Sequence, residues 1–181
     1  FNTRGILDPA AARSRFTLTR HFPAADVGAF VQRYWIIHWD LRGRPAHRQE
    51  TLPHPCVNFV VERGKTRVYG PANARGIQIL KGAGSVFGVK FRPGGYRPFT
   101  RGPVSSLTDG WISARQAFGV IGRELEDSIL PLGDPARQVP AIETFLRERL
   151  PAPDPTVSLI DRIVAEIYAR REIQRVEDLA T

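Results

Sequence analysis

The sequence predicts an α+β protein: an antiparallel β-barrel or sandwich, followed by α-helices and a short C-terminal helical segment. Two observations carry the prediction. Up to Phe99, short runs alternate apolar with polar residues and are separated by Gly, Pro and Asn, the period-two signature of half-buried strands. Beyond Phe99 the apolar residues recur at helical spacing instead. The hinge between the two regimes is the stretch 84–99, GSVFGVKFRPGGYRPF, in which strand-like sequence runs into a Pro-Gly-Gly turn and does not resume.

Residues 1–20 show no sustained period and receive no element. From Val31 the alternation is clear, with Val31, Trp35, Ile37, Trp39 and Leu41 on one face and Gln32, Tyr34, His38 and Asp40 on the other. The tryptophan face is expected to be core, or an aromatic wall inside a small barrel. A turn at 42–46 leads to an extended run at 48–52. The stretch 53–62, PHPCVNFVVE, then places Val57, Phe59 and Val61 opposite Cys56, Asn58 and Val60. Gly64-Lys65 reads as a hairpin turn into 66–69, and Ile77 and Ile79 begin a further strand. In the hinge stretch Phe87, Val89 and Phe91 share a core face, with Val86, Gly88, Lys90 and Arg92 opposite. A mid-strand glycine costs stability unless something approaches the backbone, so Gly88 marks a close contact or a bulge. Lys90, Arg92 and Arg97 gather positive charge near the turn, fitting either a solvated basic edge or an anion or ligand contact.

Ile112, Phe118, Ile121, Leu125 and Ile129 predict a helix over 113–129, weakened at Gly119 and Gly122, and Ile142, Phe145, Leu146 and Leu150 a second one. The run Pro151-Ala152-Pro153-Asp154-Pro155 cannot continue a helix and is read as a linker. Asp154 is placed to cap the next helix, with Pro155 in its first turn. The domain reading is therefore 1–150 for a β-rich unit with its helices, 151–156 for the linker and 157–181 for a short helical segment. In that segment Leu159, Ile160, Ile163, Val164 and Ile167 form an apolar face that needs cover from the preceding helices or from a second chain.

A hydrophobic share of 42% and a charged share of 24% predict a soluble globular protein, and no run is apolar enough to cross a bilayer. With no signal-peptide pattern, the cytoplasm is the expected location. Cys56 is the single cysteine and reads as a buried, inert thiol. The absence of methionine and the start at Phe1 suggest a piece of a longer chain. The net charge of +8 invites a nucleic-acid reading, but the basic excess lies wholly within residues 1–110.

The four histidines raise the alternative of a small cupin-like barrel enzyme with a His/Glu metal site, of which His47, Glu50 and His54 are the nearest set. There is no His-x-His pair, and the odd separation of His47 and Glu50 would point them to opposite faces of one strand. No nucleophile elbow, P-loop or dinucleotide fingerprint is present, and no catalytic, metal or cofactor residue is assigned.

The segments LPHPCVNFVVE (52–62), VYGP (68–71), GVKFRPGGYRPF (88–99), SSLTD (105–109) and AFG (117–119) occur in an order that resembles the N-terminal sensory domain of one branch of the AraC-family transcriptional regulators. FRPGG is the most specific of them. The last 25 residues, an apolar helix followed by IQRVEDLA, look like the first helix and the start of the second in the helix-turn-helix domain that follows such sensors. The resemblance implies a non-enzymatic, cytoplasmic effector-binding region, often dimeric, that reaches DNA through recognition helices lying beyond Thr181. It implies a homodimer, an unknown small-molecule effector and no membrane partner. The aromatic strand beside a basic turn predicts a ligand pocket with Trp35 and Trp39 in its walls and Lys90, Arg92 and Tyr96 near its mouth.

Overall fold

The computed structural model describes residues 6–170, 172–173 and 175–179. Its strands, in chain order, are β1 (Thr17–His21), β2 (Val31–Leu41), β3 (His47–Thr51), β4 (Asn58–Glu62), β5 (Arg67–Tyr69), β6 (Gly76–Leu80), β7 (Gly82–Phe91) and β8 (Trp111–Ser113). The α-helices are α1 (Pro9–Arg13), α2 (Ala114–Phe118), α3 (Gly122–Ile129), α4 (Pro135–Arg147) and α5 (Pro155–Ala169). Six strands form one antiparallel sheet in the order β1-β2-β7-β4-β5-β8, while β3 and β6 pair separately. The result is sandwich-like and not a closed barrel.

The expected strand 84–91 is the middle of this sheet. β7 pairs with β2 on one side and β4 on the other, so the basic-edge reading of Lys90 is wrong: β1 and β8 are the edges. Phe87, Val89 and Phe91 point as expected into the core, where they meet Phe59, Val61 and Val68 from the neighbouring strands and Leu125, Ile129, Ile142 and Leu146 from α3 and α4. Aromatic rings knit this core, with Phe59 5.0 Å from Phe118 and Phe91 5.2 Å from Tyr96 between centroids.

In β2 the expected assignment of faces is reversed. Tyr34 and Ile36 are fully buried on the helix side, whereas Trp35, Ile37 and Trp39 face the small sheet. The cause is a bulge: Val31 lies opposite Phe91 but Arg33 opposite Lys90, so Gln32 is an extra residue and Val31 and Tyr34 share a face despite their odd separation. The predicted helix 113–129 is two helices. Ser113 caps α2 in a reciprocal capping box with Gln116, and Gly119, at φ 74°, ends it in the left-handed conformation before α3 begins.

Arg147 of α4 clamps the helix layer to the segment before β2, donating to Asp26 Oδ2 at 2.6 Å and to Glu143 Oε2 at 2.9 Å. Glu143 in turn accepts from Tyr34 Oη at 3.2 Å and from the Ala24 N–H at 2.8 Å. Burial, then the Glu143 charge, raise the Tyr34 hydroxyl well above the ordinary tyrosine range. Helix α5 starts where expected, its Asp154 side chain accepting from the Thr156 N–H at 2.8 Å. It meets the Pro-Gly-Gly turn. A Cβ added at Gly94 would stand 3.1 Å from Cδ1 of Ile160, and Arg92 binds Asp161 Oδ2 at 2.5 Å. Val157 is buried, but Leu159, Ile163 and Ile167 stay 48%, 37% and 38% exposed, so the packing expected for the whole stripe is only partial. Of the apolar pattern expected to begin at Val176, Ala180 lies outside the described residues.

Candidate functional site

A cavity of about 360 Å³ lies between the two sheets, on the face of the large sheet opposite the core. Ladder register orders its floor in rows. Arg33, Lys90, Asn58 and Tyr69 stand in one row; Arg20, Trp35, Gly88 and Val60 in the next; Leu18, Ile37, Val86 and Glu62 in a third; Trp39 and Gly84 follow. Gln49 and Thr51 of β3 and Gln78 and Leu80 of β6 close the space from the other side, and the loop residues His54 and Cys56 join the wall.

Gly88 and Gly84 explain how two indoles fit on a sheet surface. Each is the cross-strand partner of a tryptophan, Trp35 with Gly88 and Trp39 with Gly84. A Cβ at Gly88 would fall inside the Trp35 ring, and one at Gly84 would stand 2.8 Å from Cη2 of Trp39. The missing side chains are the space that the rings occupy. Both ring N–H groups are committed, Trp35 Nε1 to Asn58 Oδ1 at 3.2 Å and Trp39 Nε1 to the Lys81 carbonyl at 3.1 Å. The cavity therefore meets a pinned aromatic floor.

Charge is unevenly distributed along it. Arg20, Arg33 and Lys90 stand in the first two rows, and Lys90 is buried. Burial and then the like charge of Arg33 hold the Arg20 guanidinium below its ordinary value. At the far end Lys65 Nζ lies 3.4 Å from Glu62 Oε1. Burial pushes the Cys56 thiol up, opposed by the charges of Lys90 and Arg33. A second cleft of about 500 Å³, lined also by Leu130 and Pro131, shares Trp39 and Glu62 with the cavity.

The family model described as Domain of unknown function (DUF6597) matches residues 19–113. The chain belongs to this family. No curated protein and no solved structure matches the chain. The DUF6597 span runs from within β1 to the end of β8, so it holds both sheets and nearly all of the cavity. The site is thus built from the segment that defines DUF6597, and α2 to α5 lie outside the match.

Of the five predicted ligand residues in this DUF6597 chain, Trp35, Trp39 and Lys90 line the cavity together. Arg92 and Tyr96 do not. The chain leaves the ladder after Phe91; Arg92 turns away to the Gly28 carbonyl, at 2.6 Å from Nε, and to Asp161. Tyr96 returns into the aromatic core, where its hydroxyl is buried with no hydrogen-bond partner among the described residues and burial raises it to about 12. Sequence reading missed Arg20 and Arg33. Arg33 has the parity of Trp35 and could have been placed on its face by alternation alone, while Arg20 sits in a stretch without period. The His47, Glu50, His54 set does not assemble: His47 Nε2 lies 3.2 Å from Gln49 Oε1, and Glu50 is paired with Arg48 and Arg75. Among the described residues no three His, Cys, Asp or Glu side chains are grouped to hold a metal, and no helix is long and apolar enough to cross a membrane.

Proposed function

We propose that this chain is the effector-sensing and dimerising region of an AraC-type DNA-binding transcriptional regulator, non-enzymatic and acting in the cytoplasm. The inter-sheet cavity is the effector site, α5 begins the DNA-binding part, and DNA is reached through recognition helices outside this chain. The reading is supported by the ordered motifs, of which FRPGG is the most specific, and above all by what β7 joins. One strand supplies Val86 and Lys90 to the cavity floor, seats both indoles on Gly84 and Gly88 and, directly after its last residue, gives Arg92 to the ion pair with Asp161 of α5. An effector that shifts this strand changes the footing of the helix, which is the coupling a sensor requires.

The test is hydrogen exchange on the chain with and without a ligand identified by thermal shift, since a ligand that binds only the folded state raises apparent stability. Protection over residues 155–169 is expected to change together with that over 84–91. A ligand that protects the cavity strands and leaves α5 exchange unaltered refutes the sensory coupling. Light scattering on the same chain reads the dimer, and a monomer mass at all concentrations removes that part of the proposal.

A further inference from the structure

The chemical class of the ligand follows from how the two indoles lie, granted the reading of the cavity as the effector site. We infer that it takes a planar aromatic ring system, held through its face by the Trp35 indole and not through charge.

Both indoles lie flat on the large sheet. The atoms nearest to a Cβ built on Gly88 are Cε2, Cζ2 and Cδ2 of Trp35, and two of these form the fused bond in the middle of the indole. A ring that met the strand by its edge would bring rim atoms closest instead. At Gly84 the nearest atom is Cζ2 of Trp39, with Cη2 and Cε2 on either side of it at 2.8 and 2.9 Å, again the pattern of a point above the ring. One face of each indole therefore covers a glycine, and the opposite face turns away from the sheet, where both rings line the cavity. The ring N–H groups are held by Asn58 and by the Lys81 carbonyl, so neither ring tips up without breaking a bond. Trp111, by contrast, spends a face on the Arg67 guanidinium, 3.5 Å from its ring centre. Among the described residues Trp35 and Trp39 have no such ring or cation partner.

A flat indole with its N–H already used offers an apolar planar surface, and an aromatic ring laid on it in offset stacking gains more than its buried area alone. A puckered saturated skeleton cannot make that contact. Trp35 and Trp39 are four residues apart on β2, about 13 Å along an extended strand, so a fused pair of rings covers one of them and not both. Trp39 is shared with the second cleft, whereas Trp35 shares its row with Val60 and is followed by Ile37 and Val86 in the next, which places the ring on Trp35. The volume of about 360 Å³ suits a fused ring pair. Arg20, Arg33 and Lys90 also border the cavity, but each has interactions of its own, and stacking on the indole needs none of them.

The experiment is calorimetric titration of the chain with uncharged 2-naphthol and with decahydro-2-naphthol, the saturated form of the same skeleton, repeated on Trp35→Leu and Trp39→Leu variants whose unliganded melts establish that they fold. Naphthol is expected to bind at least about 5-fold more tightly than decahydronaphthol, with Trp35→Leu erasing that preference and Trp39→Leu keeping it. If Trp35→Leu does not fold, the Trp35 Nε1–H resonance of the wild-type chain decides: a naphthol ring stacked on the indole shifts it, and an unmoved resonance overturns the proposal. Decahydronaphthol bound as tightly as naphthol overturns the aromatic class but leaves the cavity standing as a ligand site. A preference that survives Trp35→Leu, or that Trp39→Leu abolishes, overturns the placement on Trp35. Binding of neither probe overturns the class, while the sensory reading is judged separately by exchange in α5 and by light scattering.

Discussion

Replacing Gly88 by alanine puts a methyl group where the Trp35 indole lies, and the cost can be worked from the two sides of that contact. The ring has to leave the sheet surface, an overpacking strain of about 1–3 kcal/mol. Its departure also breaks the bond to Asn58 Oδ1, worth roughly 0.5–1.5 kcal/mol. Against these, alanine recovers about 0.5–1 kcal/mol of the entropic cost of glycine in a strand. The net loss is about 2 kcal/mol, which in a chain of this size lowers Tm by roughly 4–8 °C. In a Trp35→Ala background the obstruction is gone, only the gain remains, and Gly88→Ala should stabilise by about 0.5–1 kcal/mol. Urea denaturation followed by far-UV circular dichroism on the four chains of this cycle yields the coupling, expected at about 2–3 kcal/mol. An equal cost of Gly88→Ala in both backgrounds would falsify the claim that the glycine exists to seat the indole.

Asp26 is held at about 2, chiefly by the hydrogen bond from Arg147, below the ordinary aspartate value, so its contribution is complete above that value and is lost as pH falls through about 2. Melting of the Asp26→Asn variant should accordingly fall less steeply than wild type between about pH 5 and pH 2, and parallel curves would contradict this. Tyr96→Phe removes a buried hydroxyl that has no hydrogen-bond partner among the described residues, so stability is expected within about 0.5 kcal/mol of wild type; a loss above about 1.5 kcal/mol would reveal a partner. Asp161→Asn weakens a half-buried ion pair worth about 1 kcal/mol, and amide exchange over 155–169 should accelerate roughly fivefold while 84–91 is unchanged. Unaltered exchange in α5 would mean that Arg92 does not hold the helix.

Much of the fold was legible because strand parity and turn chemistry are local. Phe87, Val89 and Phe91 announce a core face by alternation alone, and Asp154-Pro155 announces a helix start by capping chemistry. What failed was non-local. The bulge at Gln32 cannot be seen in a single strand, because it exists only relative to β7, and without it alternation groups Val31 with Trp35 and Trp39 and leaves open whether that face is core or cavity wall. Gly88 signalled a close approach, but the atom that approaches comes from Trp35, 53 positions earlier, and only pairing identifies it. Arg92 carries the parity of Lys90 yet ends elsewhere, since parity loses meaning where the ladder stops at Phe91.

The two tryptophan–glycine pairs also make a statement about descent. At each pair the space above the sheet is a shared quantity: one position can enlarge only if its partner across the strands shrinks. Among DUF6597 sequences, positions 35 and 88, and separately 39 and 84, should therefore change together, a bulky residue facing a glycine in some lineages and two mid-sized residues facing each other in others. Where both pairs have drifted to mid-sized residues the aromatic floor is gone, and such relatives should respond to ligands of a different shape while keeping the same sheet.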